Sequence, residues 1–409
     1  MSENPQLPPI LGRARGQGSN ETGKPLQVLT ITPFYPSDRD DGFGCFVAEP
    51  LDALAKTGVL NSVFAVRPLY RGKLHSRESS VPAEWMRYVS LPGGFGLPTA
   101  GAFVFARLVG RVRELQRLGQ IDLIHAHAAL PCGHAAMLLS KELGVPYVVS
   151  VHGLDAFSTQ QVSGRAGEWC RRISERVYRS SRRVICISER VREEVLEGIG
   201  AGRASVRTSV VYNGVDPELF SPGSEPSTAK PVVLCVGNLL PIKGHEVLLR
   251  AVAALAPDFP TLMLEMIGHG PELPRLQALS QQLQISGRLR FLGRQSRRQV
   301  AAAIRRCTLF ALPSRYEGLG CVYLEAMSVG KSVIGCRGQG IAEIIRHGSN
   351  GFLVGPDNEK ELTLAMAMLL RDERLRRNLG AAARDTILER LTLTQQAESL
   401  ARIYRESVA

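Results

Sequence analysis

Two carboxylates eight residues apart, Glu317 and Glu325, flank a glycine-bearing turn, Gly318-Leu319-Gly320. The apolar run at 308–312 ahead of them reads as a buried parallel strand. From 319 to 329 the pattern turns helical, so the stretch is a strand, a glycine loop and a helix start. The first amides of a helix lack internal partners and attract anions. Without a Cβ at Gly318 and Gly320, a diphosphate could approach the backbone closely. Glu317 sits at the mouth of the loop. Glu325, about two turns into the helix, is of a type that accepts two hydroxyl hydrogen bonds, as a ribose diol offers. Two acids at this spacing are more often solvated surface charge. The strand, the glycines and the apolar helix face favour a ligand.

Other residues with chemistry also stand at strand ends. A strand at 27–32 runs into a polar loop at 37–44 with Gly42 and Gly44, before a helix at 46–56. By itself that loop reads as an ordinary strand-to-helix turn. His125 and His127 close a strand at 122–127 and are expected to point to opposite sides of it. With no third ligand nearby, they read as polar strand-end residues rather than a metal pair. His152-Gly153-Leu154-Asp155 follows a strand at 146–151, at the carboxyl end where parallel sheets bind ligands. A further strand at 231–237 leads through Asn238 and Lys243 to Gly244 and a helix at 245–255. The spacing is not that of a Walker A loop, and no GxGxxG joins a strand to a helix in the chain.

A helix at 164–181 carries Arg165, Arg172, Arg176, Arg179 and Arg183 at helical spacing, beside a stripe of Trp169, Ile173 and Val177. It reads equally as a face for an anionic membrane surface or as a surface helix that solvates its arginines. A net charge of +12 admits a polyanionic neighbour. Aromatics are only 6% of the chain and no zinc-finger or RNA-binding pattern is present, which argues against nucleic acid. Eight scattered cysteines with no CxxC pair read as reduced thiols of a cytoplasmic protein. No apolar run reaches the ~20 residues of a membrane span, and no signal peptide is evident.

A chain of 409 residues favours two domains. Strand and helix patterns alternate in both halves, which predicts an α/β protein of two doubly wound, Rossmann-like sheets facing a central cleft. The expected divisions are a disordered segment at 1–25, a first domain at 26–220, a linker at 221–230, a second domain at 231–390, and a C-terminal helix at 391–409 packing back on the first domain.

The pattern Ser314-x-x-Glu317-Gly318-x-Gly320-x-x-x-x-Glu325-Ala326-Met327 resembles the E-x7-E signature of retaining glycosyltransferases of the GT-B fold, in the group called family 4. His152-Gly153-x-Asp155, Tyr212-Asn213-Gly214-Val215-Asp216 and Lys243 follow the same family's order. The resemblance covers nearly all of the chain after residue 25. It implies a nucleotide-sugar donor, UDP- or GDP-linked, held mainly by the second domain. The base would lie at Arg294 and Gln295, the ribose on Glu325, and the diphosphate on Lys243 and the amides of Leu319 and Gly320. Glu317 and His152 would contact the transferred sugar, and the Gly42 and Gly44 loop would lie near the donor phosphates and acceptor. Asn238 departs from the arginine usual in the family, which leaves Lys243 as the main charged clamp.

The resemblance also implies retention of anomeric configuration. No Asp-x-Asp motif is present, so neither a metal nor any cofactor beyond the co-substrate is expected. The expected acceptor is a glycan or a lipid-linked glycan at the inner membrane face. That setting fits cell-surface polysaccharide synthesis of the teichuronic acid or exopolysaccharide kind. The competing readings are a nucleotide-sugar epimerase or phosphorylase of the same fold, and a non-catalytic, membrane-associated binding protein, the last favoured by Asn238.

Overall fold

The computed structural model describes residues 24–38, 40–72, 74, 81–92, 96–158, 162–223 and 230–409. The segment expected to be disordered therefore lies outside the described residues but for 24 and 25, and so do residues 224–229 of the expected linker. The chain divides into two compact units. The first comprises Met1–Cys186, Glu193–Ser209 and Ala397–Ala409; the second comprises Ile187–Arg192 and Val210–Gln396.

In the first unit the strands are β1 (Leu26–Thr32), β2 (Val59–Pro68), β3 (Ala83–Tyr88), β4 (Leu123–His127), β5 (Tyr147–Val151), β6 (Arg183–Cys186) and β7 (Thr208–Val210). The helices in the same stretch of chain are α1 (Cys45–Lys56), α2 (Leu97–Arg117), α3 (His134–Leu143), α4 (Gly164–Ser180) and α5 (Glu189–Ile199). The sheet order is β3-β2-β1-β4-β5-β6-β7, with β1 parallel to both β2 and β4. Strands β4 and β5 are buried along their whole length, as expected of strands covered on both faces. Chain order reverses between β1 and β4, and such a switch point is where doubly wound sheets open a ligand crevice.

The second unit has β8 (Val232–Val236), β9 (Met263–Ile267), β10 (Leu289–Gly293), β11 (Leu309–Ala311), β12 (Val333–Cys336) and β13 (Phe352–Val354). Its sheet is wholly parallel, in the order β10-β9-β8-β11-β12-β13, with the switch point between β8 and β11. The helices from there on are α6 (His245–Leu255), α7 (Leu273–Gln282), α8 (Arg297–Arg306), α9 (Cys321–Ser328), α10 (Glu359–Arg371), α11 (Glu373–Arg390) and α12 (Leu393–Val408).

The expected boundary at 220 differs from the observed one. Residues from Val210 onward belong to the second unit because their backbone is bonded there. Val215 N–H donates to Leu391 C=O at 2.9 Å, Leu393 N–H returns to Val215 C=O at 3.1 Å, and Ser328 Oγ donates to Phe220 C=O at 2.8 Å. From Ala397 onward α12 belongs to the first unit, where the Tyr404 hydroxyl lies 2.8 Å from His125 Nδ1. None of the eight cysteines forms a disulfide; seven are buried and Cys321 is half-buried. Among the described residues no helix is long and apolar enough to cross a membrane.

Candidate active site

In the second unit, the loops that follow β8 and β11 meet beside the switch point. The first carries Lys243 at the end of a one-turn helix, Pro241–Lys243. The second runs from Pro313 to Gly320. They are stitched together: the N–H groups of Arg315 and Tyr316 both donate to Ile242 C=O, at 2.8 and 3.3 Å. Gly244 makes the approach feasible. Its φ is +67°, and a Cβ there would stand 2.0 Å from the Pro313 carbonyl oxygen, so a side chain would force the loops apart. Held this way, Lys243 Nζ donates to Glu317 Oε1 at 2.7 Å, and Ser314 Oγ donates to the same oxygen at 2.9 Å. Glu317 is 7% exposed. Its backbone is fixed as well: its N–H donates to Gln339 Oε1 at 3.0 Å, and its C=O accepts Gly340 N–H at 3.0 Å.

Gly320 turns the chain into α9 with φ +89°; a Cβ there would sit 2.6 Å from the Tyr323 ring. Tyr323 is fully buried and its hydroxyl donates to Leu312 C=O. The glycine thus lets the helix start over an aromatic wedge. Gly318 C=O accepts the Ser188 hydroxyl at 2.6 Å. Helix α9 begins at Cys321 rather than Leu319, which places Glu325 about one turn in rather than two.

Glu325 is 5% exposed and its Oε1 accepts a hydrogen bond from Arg297 Nη1. Arg297 is a residue that the sequence reading passed over, because α8 itself was not anticipated. The signal was present. Ser296 and Gln299 form a capping box, Gln299 N–H to Ser296 Oγ at 3.3 Å and Ser296 N–H to Gln299 Oε1 at 2.8 Å. Val300, Ala303 and Ile304 then supply the buried helical face. Of the residues expected at the base, Arg294 is exposed, while Gln295 is half-buried with Nε2 donating to Leu292 C=O at 2.6 Å. The Asn238 side chain is exposed.

The first unit has its own cluster. His152 follows β5, with its N–H donating to Asp155 Oδ1 at 2.8 Å. Its ring lies nearly coplanar with that of His127, edge to edge, with centroids 5.2 Å apart and His152 Nε2 3.0 Å from His127 Nδ1. Phe34 and Phe46 also pack against it, with centroids 5.8 and 4.6 Å from the His152 ring. His152 Nδ1 and Asp155 Oδ2 are buried with no hydrogen-bond partner among the described residues. Buried polar atoms of this kind call for a ligand or another explanation. Burial holds the His152 ring down to about 3, so the ring is neutral at ordinary pH. Burial also pushes the Asp155 carboxyl up to about 7, against the opposing pull of backbone N–H groups.

His125 and His127 do not point to opposite sides of β4. Their ring centroids are 4.3 Å apart. Residues two apart in a strand share a face, and only immediate neighbours alternate. His125 is held by Ser150 Oγ at 2.7 Å on Nε2 and by Tyr404 on Nδ1. Gly44 precedes α1 with φ +76°, and Gly42 N–H donates to Asp40 Oδ1 at 3.2 Å.

On α4, Arg165, Arg172, Arg176 and Arg179 are all exposed. Two parts of the expected picture change. Arg183 lies in β6, not on the helix, and pairs with Glu406 at 3.1 Å. Trp169 is 49% exposed, apart from the buried Ile173 and Val177. At 100° per residue Trp169 falls on the arginine face rather than on the core stripe. Glu168 lies on that face too and pairs with Arg172 at 3.0 Å.

Among the described residues no group of three His, Cys, Asp or Glu is arranged to hold a metal. The profile described as Glycosyltransferase Family 4 matches residues 42–219, and that described as Glycosyl transferases group 1 matches residues 218–386. An uncharacterised glycosyltransferase of Methanocaldococcus jannaschii is 31% identical over 261 residues, 64% of this chain and 68% of that protein. A D-inositol 3-phosphate glycosyltransferase of Corynebacterium jeikeium is 28% identical over 395 residues, 89% of this chain and 91% of that protein. Sucrose-phosphate synthase of Thermosynechococcus elongatus shares the fold at a TM-score of 0.77 and 20% identity, over 93% of this chain and 98% of that one. The Anabaena HepE protein, solved with UDP and glucose, does so at 0.72 and 22%, over 92% and 98%.

Proposed function

The chain belongs to the glycosyltransferases of group 1 and family 4 and is a glycosyltransferase, and from that premise we propose that it moves a sugar from a UDP- or GDP-linked donor to a glycan or lipid-linked acceptor, with retention of anomeric configuration and without a metal. The observation that carries the proposal is the pair of half-buried Lys243 and buried Glu317, 2.7 Å apart beside the switch point of the second sheet. A cation, a carboxylate and the start of α9 converge there on glycine-permitted backbone.

The donor's diphosphate lies against Lys243 and the amides of Leu319 and Gly320, its ribose on Glu325, and its base beside Arg294 and Gln295. As the bond from the anomeric carbon to the diphosphate oxygen breaks, its electron pair leaves with the nucleoside diphosphate, while an acceptor hydroxyl oxygen bonds that carbon and gives its proton to the departing diphosphate. A preorganised ammonium and helix-end amides stabilise that charge more in the transition state than in the ground state. Glu317 contacts the sugar beside the reacting carbon, where Ser314 and Lys243 hold its carboxylate still. For the first unit, the same reading gives the sugar contact to His152, neutral and with no hydrogen-bond partner on Nδ1 among the described residues, and the acceptor to the Gly42 and Gly44 loop. Solved relatives of the fold carry UDP or UDP-glucose, which supports a nucleotide-sugar donor.

The exposed face of Arg165, Trp169, Arg172, Arg176 and Arg179 supports docking on an anionic membrane. Each arginine near such lipid contributes about 1 kcal/mol. This placement suits a lipid-linked acceptor in cell-surface polysaccharide synthesis.

The test is turnover of a panel of UDP- and GDP-sugars with a membrane extract as acceptor source, with and without EDTA. Product configuration is read by the anomeric proton coupling. An inverted product removes the retaining assignment. Full loss of activity in EDTA removes the metal-free one.

A further inference from the structure

The buried partner of Glu325 is the feature of the second unit that the family pattern leaves without a role. Arg297 opens α8, where the capping box fixes the helix start. Its guanidinium lies over the Phe220 ring, 4.7 Å from the centroid, and Nη1 donates to Glu325 Oε1. The two charged side chains are only 13% and 6% exposed. Phe220 is fully buried, and its C=O accepts the hydroxyl of Ser328, three residues beyond Glu325 in α9. The guanidinium is therefore confined between an aromatic plate tied to α9 and a carboxylate on α9. An ordinary surface ion pair has no such confinement. A carboxylate has two oxygens to offer, and Arg297 takes Oε1.

We propose that Arg297 is the positioning residue for ribose recognition: it pins the Glu325 carboxylate in one orientation so that the ribose diol meets a preformed acceptor. This rests on the reading of Glu325 as the ribose contact. Without the guanidinium, a buried carboxylate loses its compensating charge and turns toward water or another donor. The diol then finds no fixed acceptor, and recognition of its two hydroxyls weakens together.

The experiment is calorimetric titration of the full chain with UDP, 2′-deoxy-UDP and 3′-deoxy-UDP, and with the matching guanine series. The wild type is compared with Arg297→Met and Arg297→Lys. A hydroxyl bonded to a charged acceptor corresponds to a preference of about ten- to a hundredfold over the deoxy ligand. Wild type should show that preference, Arg297→Met should compress it to within about threefold, and Arg297→Lys should restore part of it. A purely structural ion pair would alter the melting temperature while leaving the ribose-to-deoxyribose ratio at its wild-type value, and that result overturns the proposal. Tighter UDP binding by Arg297→Met also overturns it, since Arg297 would then compete with the ribose. A wild type indifferent to both deoxy ligands removes the ribose contact at Glu325 itself, and the positioning role falls with it.

Discussion

Replacing Glu317 by Gln separates catalysis from donor binding. The substitution keeps the shape of the side chain and one carbonyl oxygen, so the Ser314 bond at 2.9 Å can persist while the ionic partner of Lys243, at 2.7 Å, is lost. Hydrogen bonds to charged groups contribute about 1.5–3 kcal/mol and neutral ones about 0.5–1.5. The stability cost is the difference, and the Lys243 side chain keeps 18% of its exposure, so solvent compensates part of it. The expected cost is about 1 kcal/mol, which lowers the melting temperature of a unit this size by about 2–4 °C. Donor binding moves the other way. Lys243 no longer divides its charge between Glu317 and a diphosphate, and a carboxylate that repelled the diphosphate is gone. UDP or GDP affinity should hold, or tighten by up to about tenfold for about 1.4 kcal/mol. Turnover should fall by about a hundredfold or more, the scale of losing one group aimed at transition-state charge. Calorimetric titration with the nucleoside diphosphate, scanning calorimetry and initial rates measure the three quantities. A near-normal rate refutes the catalytic role. Loss of nucleotide binding in a folded variant refutes the division of labour between Glu317 and Lys243.

Glu325→Ala should mainly weaken donor binding and raise the donor KM, with a smaller change in kcat; unchanged affinity by titration rejects the ribose contact. Stability should depend on pH through the histidine cluster. Burial lowers His125 and His152 from 6.5 to about 3 and holds His127 well below its usual value. Below about pH 6.5 the unfolded chain takes up protons that the folded rings refuse, so stability falls as pH drops toward 3. Asp155 acts oppositely: its carboxyl, raised from 3.8 to about 7, adds stability at low pH that is lost as pH rises through 7. Three rings outweigh one carboxyl below 6.5. The melting temperature of the first unit should therefore be lower at about pH 5 than at about pH 7, and His127→Gln should flatten the slope; a flat wild-type profile contradicts the buried, neutral cluster. Arg172→Glu with Arg176→Glu should reduce sedimentation with vesicles containing anionic lipid and leave turnover of a water-soluble acceptor unchanged. Equal sedimentation of the variant would discard α4 as the membrane face.

Local pattern was enough for much of this protein. Apolar runs ending at glycine, proline or a polar turn marked the strands, because a parallel strand covered on both faces has to be apolar throughout. The strand, glycine loop and helix around Glu317 and Glu325 were legible for the same reason, as was the lysine after β8. What the sequence could not supply was partnership across distance. The Lys243 and Glu317 pair depends on two loops closing through Gly244 and the Pro313 carbonyl, 69 positions apart in the chain. Arg297 reaches Glu325 only because β10 and β11 carry their following helices to one end of a twisted sheet. The backbone of 210–220 joins the second unit through bonds to Leu391 and Ser328, which no linker composition reveals. Periodicity specifies which face of an element is buried. Only the folded chain decides which distant charge that face meets, because a hydrogen bond between side chains is a matter of ångströms rather than of sequence spacing.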